Sequence, residues 1–159
     1  MNAIRTGILG TGTWGMALGR LLANKGVEVV MWSAIPEEVE TYPRERKHLN
    51  LPGMEIPESI RFTGNIGDAC RDKDFIIFAV PSVFVRSTAA SAAPFIPEGQ
   101  IIVDVAKGIE PDTLFSMTEV IADELKGIPV KLVALSGPTH AEEVALDLPT
   151  TIVSVSRDP

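Results

Sequence analysis

Residues 4–15 read Ile4-Arg5-Thr6-Gly7-Ile8-Leu9-Gly10-Thr11-Gly12-Thr13-Trp14-Gly15, and the order of residue types here decides how the rest is read. Ile4–Leu9 is a short apolar run that closes on glycine, a buried-strand signal. Gly10, Gly12 and Gly15 then fit the spacing G-x-G-x-x-G. In Trp14–Lys25 the apolar Met16, Ala17, Leu21 and Leu22 recur at helical spacing, and Gly26 stops the helix. Val27–Trp32 reads as a second strand. Strand, turn, helix, turn and strand thus fit within about 30 residues, the size of a βαβ unit.

Outward from this unit the alternation continues. Pro36–Lys47 is polar and helical in pattern, and Asn50–Pro57 is a loop marked by Pro52-Gly53 and Pro57. Ile60–Phe62 is a short strand and Ile66–Arg71 a short helix. Phe75–Val80 (FIIFAV) is continuously apolar, as strands covered on both faces are. Pro81-Ser82 opens a helix through Ala93, Ile101–Val105 is a strand, and a helix over Asp112–Leu125 follows Pro111. Lys131–Leu135 is a strand, Thr139–Ala145 a short helix and Thr151–Val155 a last strand. The expected fold is α/β: one domain over residues 1–159 with a doubly wound, mostly parallel sheet, the Rossmann fold. Ser154–Pro159 runs off the last strand with no closing helix, which leads us to expect a domain of a longer protein.

Composition narrows the function classes. Of 159 residues, 45% are apolar and 22% charged, which fits a globular domain with a core and not a disordered chain. Fourteen basic and 21 acidic residues give a net charge of −7, against a nucleic-acid partner. A single cysteine, Cys70, excludes an intrachain disulfide and fits a reducing, cytoplasmic compartment. The start, Met1-Asn2-Ala3-Ile4-Arg5, does not read as a signal peptide, and no apolar run is long enough for membrane insertion.

The glycine turn carries the chemistry. Gly10 permits the tight turn, Gly12 lets a pyrophosphate approach the backbone, and Gly15 lets the helix pack on the sheet. The helix N-terminus supplies free N–H groups and a partial positive charge. The second strand ends at Trp32-Ser33-Ala34, with no carboxylate at its tip; Glu37 and Glu38 come later, on a helix. These residues favour tolerance of NADP and leave NAD open. Ser33 bonds the ribose or caps the next helix.

Ligands of open α/β sheets sit outside the carboxyl ends of the strands. Pro81, after the fourth strand, turns the chain over that site or simply starts a helix, and Arg86 one turn on is read as solvated. Lys107, beside Gly108 at the fifth strand's tip, either faces the crevice or is a surface lysine. Ser136-Gly137-Pro138-Thr139-His140 is a second glycine turn opening a helix. Its Glu142 and Glu143 suit a first helical turn. His140 stays open, His48 is read as a surface residue and Cys70 as a helix or core residue. No cluster has metal-ligand spacing, and no G-x-S-x-G elbow is present.

With these segments placed, the chain resembles the N-terminal domain of bacterial-type NAD(P)-dependent glycerol-3-phosphate dehydrogenases. The likeness rests on GTGTWGMALGRLLA from Gly10, HLNLPGMEIPESIRFT from His48, FAVPS from Phe78 with Arg86, AKGIE from Ala106, and LSGPTHAEEVALDLPT from Leu135. It covers about residues 4 to 155. The resemblance implies hydride transfer between NAD(P)H and dihydroxyacetone phosphate, giving sn-glycerol 3-phosphate for phospholipid synthesis. It implies that Gly10, Gly12, Thr13, Trp14, Gly15, Ser33, Pro81 and Ala141 contact NAD or NADP. Gly137 and Thr139 would hold substrate, and Lys107 would touch substrate and the nicotinamide end as the catalytic residue of this chain. Ser33-Ala34 stand where many bacterial members carry a basic residue, and Thr13 and Thr139 where serine is common. The family places its acid/base lysine on a helical C-terminal domain, absent from this chain, and the full-length protein is implied to be a homodimer. The expectation is therefore cofactor binding without turnover. If that domain covers Leu146–Val155, the chain alone should self-associate.

Three other readings compete. A related 3-hydroxyacid dehydrogenase or ketopantoate reductase shares the build, but LSGPTHAEEVA speaks against it. A non-catalytic nucleotide-sensing module would leave Lys107 and Thr139 incidental. A methyltransferase using S-adenosylmethionine usually wants an acidic residue at the second strand's tip.

Overall fold

The computed structural model describes residues 3–158; Met1, Asn2 and Pro159 lie outside the described residues, and with them the first two residues of the N-terminal reading and the last of the C-terminal one. The elements run β1 (Arg5–Leu9), α1 (Thr13–Asn24), β2 (Glu28–Trp32), α2 (Pro36–Glu45), β3 (Arg61–Thr63), α3 (Ile66–Cys70) and β4 (Phe75–Phe78). They continue with α4 (Val85–Ala92), β5 (Ile101–Asp104), α5 (Met117–Glu124), β6 (Lys131–Ser136), α6 (Ala141–Ala145) and β7 (Val153–Ser156). One seven-stranded sheet has the order β3-β2-β1-β4-β5-β6-β7. All pairs are parallel except β6 with β7, which are antiparallel with Leu135 opposite Ser154. The expected doubly wound, mostly parallel sheet is present.

The apolar runs work because successive strand residues face opposite sides. Ile8, Met31 and Ile77 join Met16 and Ala17 of α1 and Val144 of α6 in one core. Leu9, Val30, Ile76, Phe78 and Ile102 join Ala69 of α3, Ala89 of α4 and Ile121 of α5 in the other. Each buried Ile, Leu, Val, Met or Phe among them contributes roughly 1.5–3 kcal/mol of hydrophobic stabilisation. Cys70, at the end of α3, is buried in the second core, and burial pushes its thiol up to about 12. The strand order reverses between β1 and β4, so a crevice opens where their carboxyl ends diverge.

Several boundaries differ from expectation. The helix expected over Asp112–Leu125 begins at Met117. Ser116 and Glu119 form a capping box, with the Ser116 N–H donating to the Glu119 carboxylate at 2.8 Å, and this overrides the proline signal. Residues 109–116 instead close a small loop, in which the Glu110 N–H donates to the Phe115 carbonyl and Leu114 is left-handed at φ 59°. The last helix starts at Ala141, not Thr139, and the last strand at Val153, not Thr151. The helix expected through Lys47 ends at Glu45, where Arg46 turns left-handed at φ 54°.

Candidate functional site

The three glycines of the turn do three different things. Gly10 has φ 121°, and a Cβ there would lie 2.7 Å from the Ala79 carbonyl oxygen. Its N–H donates to the Trp32 carbonyl at 2.9 Å, which ties the turn to the tip of β2. A Cβ on Gly15 would meet the Gly10 carbonyl oxygen at 2.8 Å, so α1 sits directly on the turn. A Cβ on Gly12 would meet nothing within 4 Å: that side is open. Gly12 is the N-cap residue of α1, and no side chain caps the helix. The first-turn N–H groups, with no acidic residue among them, therefore face the open side, an arrangement suited to a diphosphate.

Side chains from the following segment lock this turn. The Thr11 and Ser33 hydroxyls, in residues 4% and 5% exposed, both donate to Oε2 of Glu38. The Tyr42 hydroxyl donates to Oε1 at 3.4 Å. Burial first, and then the Glu38 carboxylate, push the Tyr42 phenol up to about 12. His48 is not a surface residue: it is 6% exposed and stacks on Tyr42 with ring centroids 5.4 Å apart. Its Nδ1 accepts from the Asn50 N–H at 3.2 Å, so Nε2 carries the proton and donates to the Thr11 carbonyl at 3.2 Å. Counting along the chain put no carboxylate at the tip of β2; folding brings Glu38 there from α2. Ser33 does not cap α2, whose N-cap is Ile35; its oxygen accepts the Ile35 N–H in a tight turn.

The other strand ends converge beside the turn. Gly12, Thr13, Trp14, Pro81, Lys107, Thr139 and Ala141 line one cleft of about 370 Å³, together with Ser82, His140 and Glu142. Ser82, which sequence reading passed over, approaches Gly108, where a Cβ would meet its side chain at 3.0 Å. Lys107 is exposed, and its Nζ donates to the Gly137 carbonyl at 3.1 Å, bridging the tips of β5 and β6. Asp104, at the end of β5, is 6% exposed and accepts the Ala106 N–H at 3.0 Å. Burial pushes its carboxyl up to about 6. Ser33 stands apart, on the Glu38 side of the turn.

Arg86 is not simply solvated. Its guanidinium pairs with Glu110 at 2.7 Å, Asp123 at 2.8 Å and Glu124 at 2.7 Å, pinning α4 to α5 and the loop before it. The Arg86 hydrogen bonds hold the Glu110 carboxyl down at about 2. Glu38, Tyr42, His48, Ser82, Asp104 and the Arg86 cluster were the residues that sequence reading missed or misplaced. The Ser33–Glu38 spacing across a helix start was the available signal.

Among the described residues no group of three or more His, Cys, Asp or Glu side chains is arranged to hold a metal, and no helix is long and apolar enough to cross a membrane. Leu146, Leu148, Val153 and Val155 are more than half exposed.

The chain is 66% identical over 158 residues to glycerol-3-phosphate dehydrogenase (NAD(P)+) 2 of Lactobacillus delbrueckii subsp. bulgaricus, covering 97% of this chain and 47% of that protein. It is 47% identical over 154 residues to glycerol-3-phosphate dehydrogenase (NAD(P)+) of Agathobacter rectalis, covering 96% of this chain and 45% of that protein. The crystal structure of glycerol-3-phosphate dehydrogenase from Coxiella burnetii superposes with a TM-score of 0.89 at 30% identity, over 98% of this chain and 47% of that one. The chain thus spans about half the length of the curated relatives it matches. The family described as NAD-dependent glycerol-3-phosphate dehydrogenase N-terminus matches residues 5–159, and the chain belongs to it.

Proposed function

We propose that this chain is the dinucleotide-binding half of an NAD(P)-dependent glycerol-3-phosphate dehydrogenase. The observation that carries the reading is the open face of Gly12 above an uncapped helix N-terminus, at the point where the strand order reverses. Thr13 and Trp14 extend this face into the cleft that also holds Pro81 and Lys107. A nicotinamide cofactor bound there would exchange a hydride with C2 of dihydroxyacetone phosphate or sn-glycerol 3-phosphate. Gly12, Thr13, Trp14 and Gly15 hold the diphosphate by backbone N–H groups and close approach, Gly10 makes the tight turn that presents them, Pro81 and Ala141 flank the nicotinamide end, and Ser33 lies toward the adenosine ribose. Lys107 directs its ammonium to the substrate oxygen or phosphate, with Gly137 and Thr139 holding the substrate from the β6 side.

General acid–base transfer at the C2 oxygen needs a group within hydrogen-bond reach. We assign that group to a helical C-terminal domain, following the resemblance, and the reading extends to a cytoplasmic homodimer of the full-length protein feeding phospholipid synthesis. The 159-residue chain then binds cofactor and turns over no substrate. Titration with NADH, followed by cofactor fluorescence, tests this. Saturable binding is expected in the chain as it stands. Gly12→Ala adds a methyl into open space, so it leaves the melting temperature within a few degrees while weakening NADH by roughly tenfold or more, because the methyl occupies the diphosphate's approach. Equal binding by both chains, or none by the parent, would overturn the reading.

A further inference from the structure

We propose that Glu38 makes this site select NAD(H) over NADP(H); the inference rests on the dinucleotide reading above and names its cofactor. Glu38 receives hydrogen bonds from Thr11 in the glycine turn and from Ser33 just past β2, so its carboxylate spans the gap between the two strand tips. In a dinucleotide laid along the turn, the adenosine ribose reaches that gap. Oε2 is filled by the two hydroxyls, while Oε1 has the 3.4 Å contact from Tyr42 and remains able to accept from a ribose hydroxyl. A diol donates well to a carboxylate. A 2′-phosphate donates nothing there and brings about −1.5 to −2 of like charge.

The two hydroxyls nearest the strand tips are already committed. Thr11 and Ser33 both spend their protons on Glu38, and the Ser33 oxygen also accepts the Ile35 N–H at 3.1 Å. They offer a 2′-phosphate lone pairs, not donors. Nor do the basic residues nearby supply a phosphate receptor. Glu38 opens onto a cleft of about 1060 Å³ beneath α2, where Arg44, Arg46 and Lys47 are matched in number by Glu37, Glu45 and Glu55, leaving the Glu38 charge in excess. Arg46 also donates to the Pro57 and Ile60 carbonyls at 3.0 and 3.3 Å. The Ser33-Ala34 tip, bare of carboxylate along the sequence, is acidic in space.

The test is the affinity of the purified chain for NADH and for NADPH, measured separately, with the parent and Glu38→Gln. The parent should bind NADH at least ~30-fold tighter than NADPH. Glu38→Gln keeps the side-chain shape and removes the charge; it should narrow the ratio by roughly tenfold, mainly by tightening NADPH. Equal affinities in the parent overturn the inference without touching the dinucleotide reading, and they do so whether or not the variant folds. A Glu38→Gln chain that weakens both cofactors alike also overturns it, since Glu38 would then act only on the turn's shape. Binding of neither cofactor by the parent would overturn both.

Discussion

The two glycine turns of this chain are held in opposite ways. Around Gly10–Gly15 the buried polar side chains gather: Thr11, Ser33 and His48 are each no more than 6% exposed and are bonded to one another's neighbours through Glu38 and the Thr11 carbonyl. Around Ser136–His140 no residue is buried, and the side-chain support is an exposed lysine and the Thr139 hydroxyl, both reaching the Gly137 carbonyl, at 3.1 and 3.5 Å. The first turn is thus fixed before any ligand arrives, as pre-organised anion sites must be if binding is not to be taxed by ordering. The second has its shape set mainly by backbone, and its groups remain free to adjust. Two glycine turns built on one sheet need not be equally stiff.

Two matched glycine substitutions would break that contrast most directly. Gly10→Ala forces a Cβ against the Ala79 backbone at φ 121°, in the middle of the sheet where neither strand can move aside. A loss of about 3 kcal/mol or more is expected, seen as a large drop in urea midpoint. Gly137→Ala meets a similar contact, the Thr151 carbonyl oxygen at 2.7 Å, but Thr151 and Ile152 belong to a partly exposed segment leading into the edge strand β7. Backbone shift there should hold the cost to roughly 1 kcal/mol. Equal losses would show the second turn to be as rigid as the first.

The next effect has the opposite sign. Asp104 lies between the turns, beneath the loop to Lys107, as a carboxyl raised to about 6 chiefly by burial and answered by one N–H. Because its folded pKa lies above the ordinary 3.8, the folded chain holds this proton more tightly than the unfolded one. The charge therefore costs nothing at pH values below about 4, and the cost grows as pH rises through about 6. Asp104→Asn keeps an oxygen for the Ala106 N–H and should raise stability by ~1–3 kcal/mol at pH 7, a gain that fades toward pH 4. Paired urea melts at the two pH values check it; a gain that does not depend on pH would mean the effect is packing.

How much of this was legible in the chain follows from distance along it. β4 announces itself because a strand buried on both faces is apolar without interruption, and the glycine spacing identified the turn after β1 with its direction. The capping box at Ser116 was equally local and lost out to the Pro111 signal, which is why α5 starts five residues later than expected. Glu38 for Thr11, Thr11 for His48, and Glu110 and Glu124 for Arg86 lie 24 to 38 residues away, too far for any periodicity to pair them. A polar residue's burial is decided by such partners. His48 therefore read as a surface residue, and Glu38 as a helix residue away from the strand tip, until the fold brought Thr11 to them.

Lys107 gives the smallest effect on stability and the sharpest use of the contrast. Its side chain is exposed, and its single bond to the Gly137 carbonyl competes with water. Lys107→Ala should change unfolding free energy by no more than ~0.5 kcal/mol. The same reasoning would fail for Thr11, Ser33 and His48 at the first turn, whose side chains are bonded into its buried network, so that a substitution there carries a folding component along with any lost activity. At the second turn the two separate. A fall in turnover of a full-length protein carrying Lys107→Ala, at unchanged melting temperature, would belong to the chemistry, whereas a stability loss above 1 kcal/mol would show that the lysine bridge between β5 and β6 holds the shelf in place.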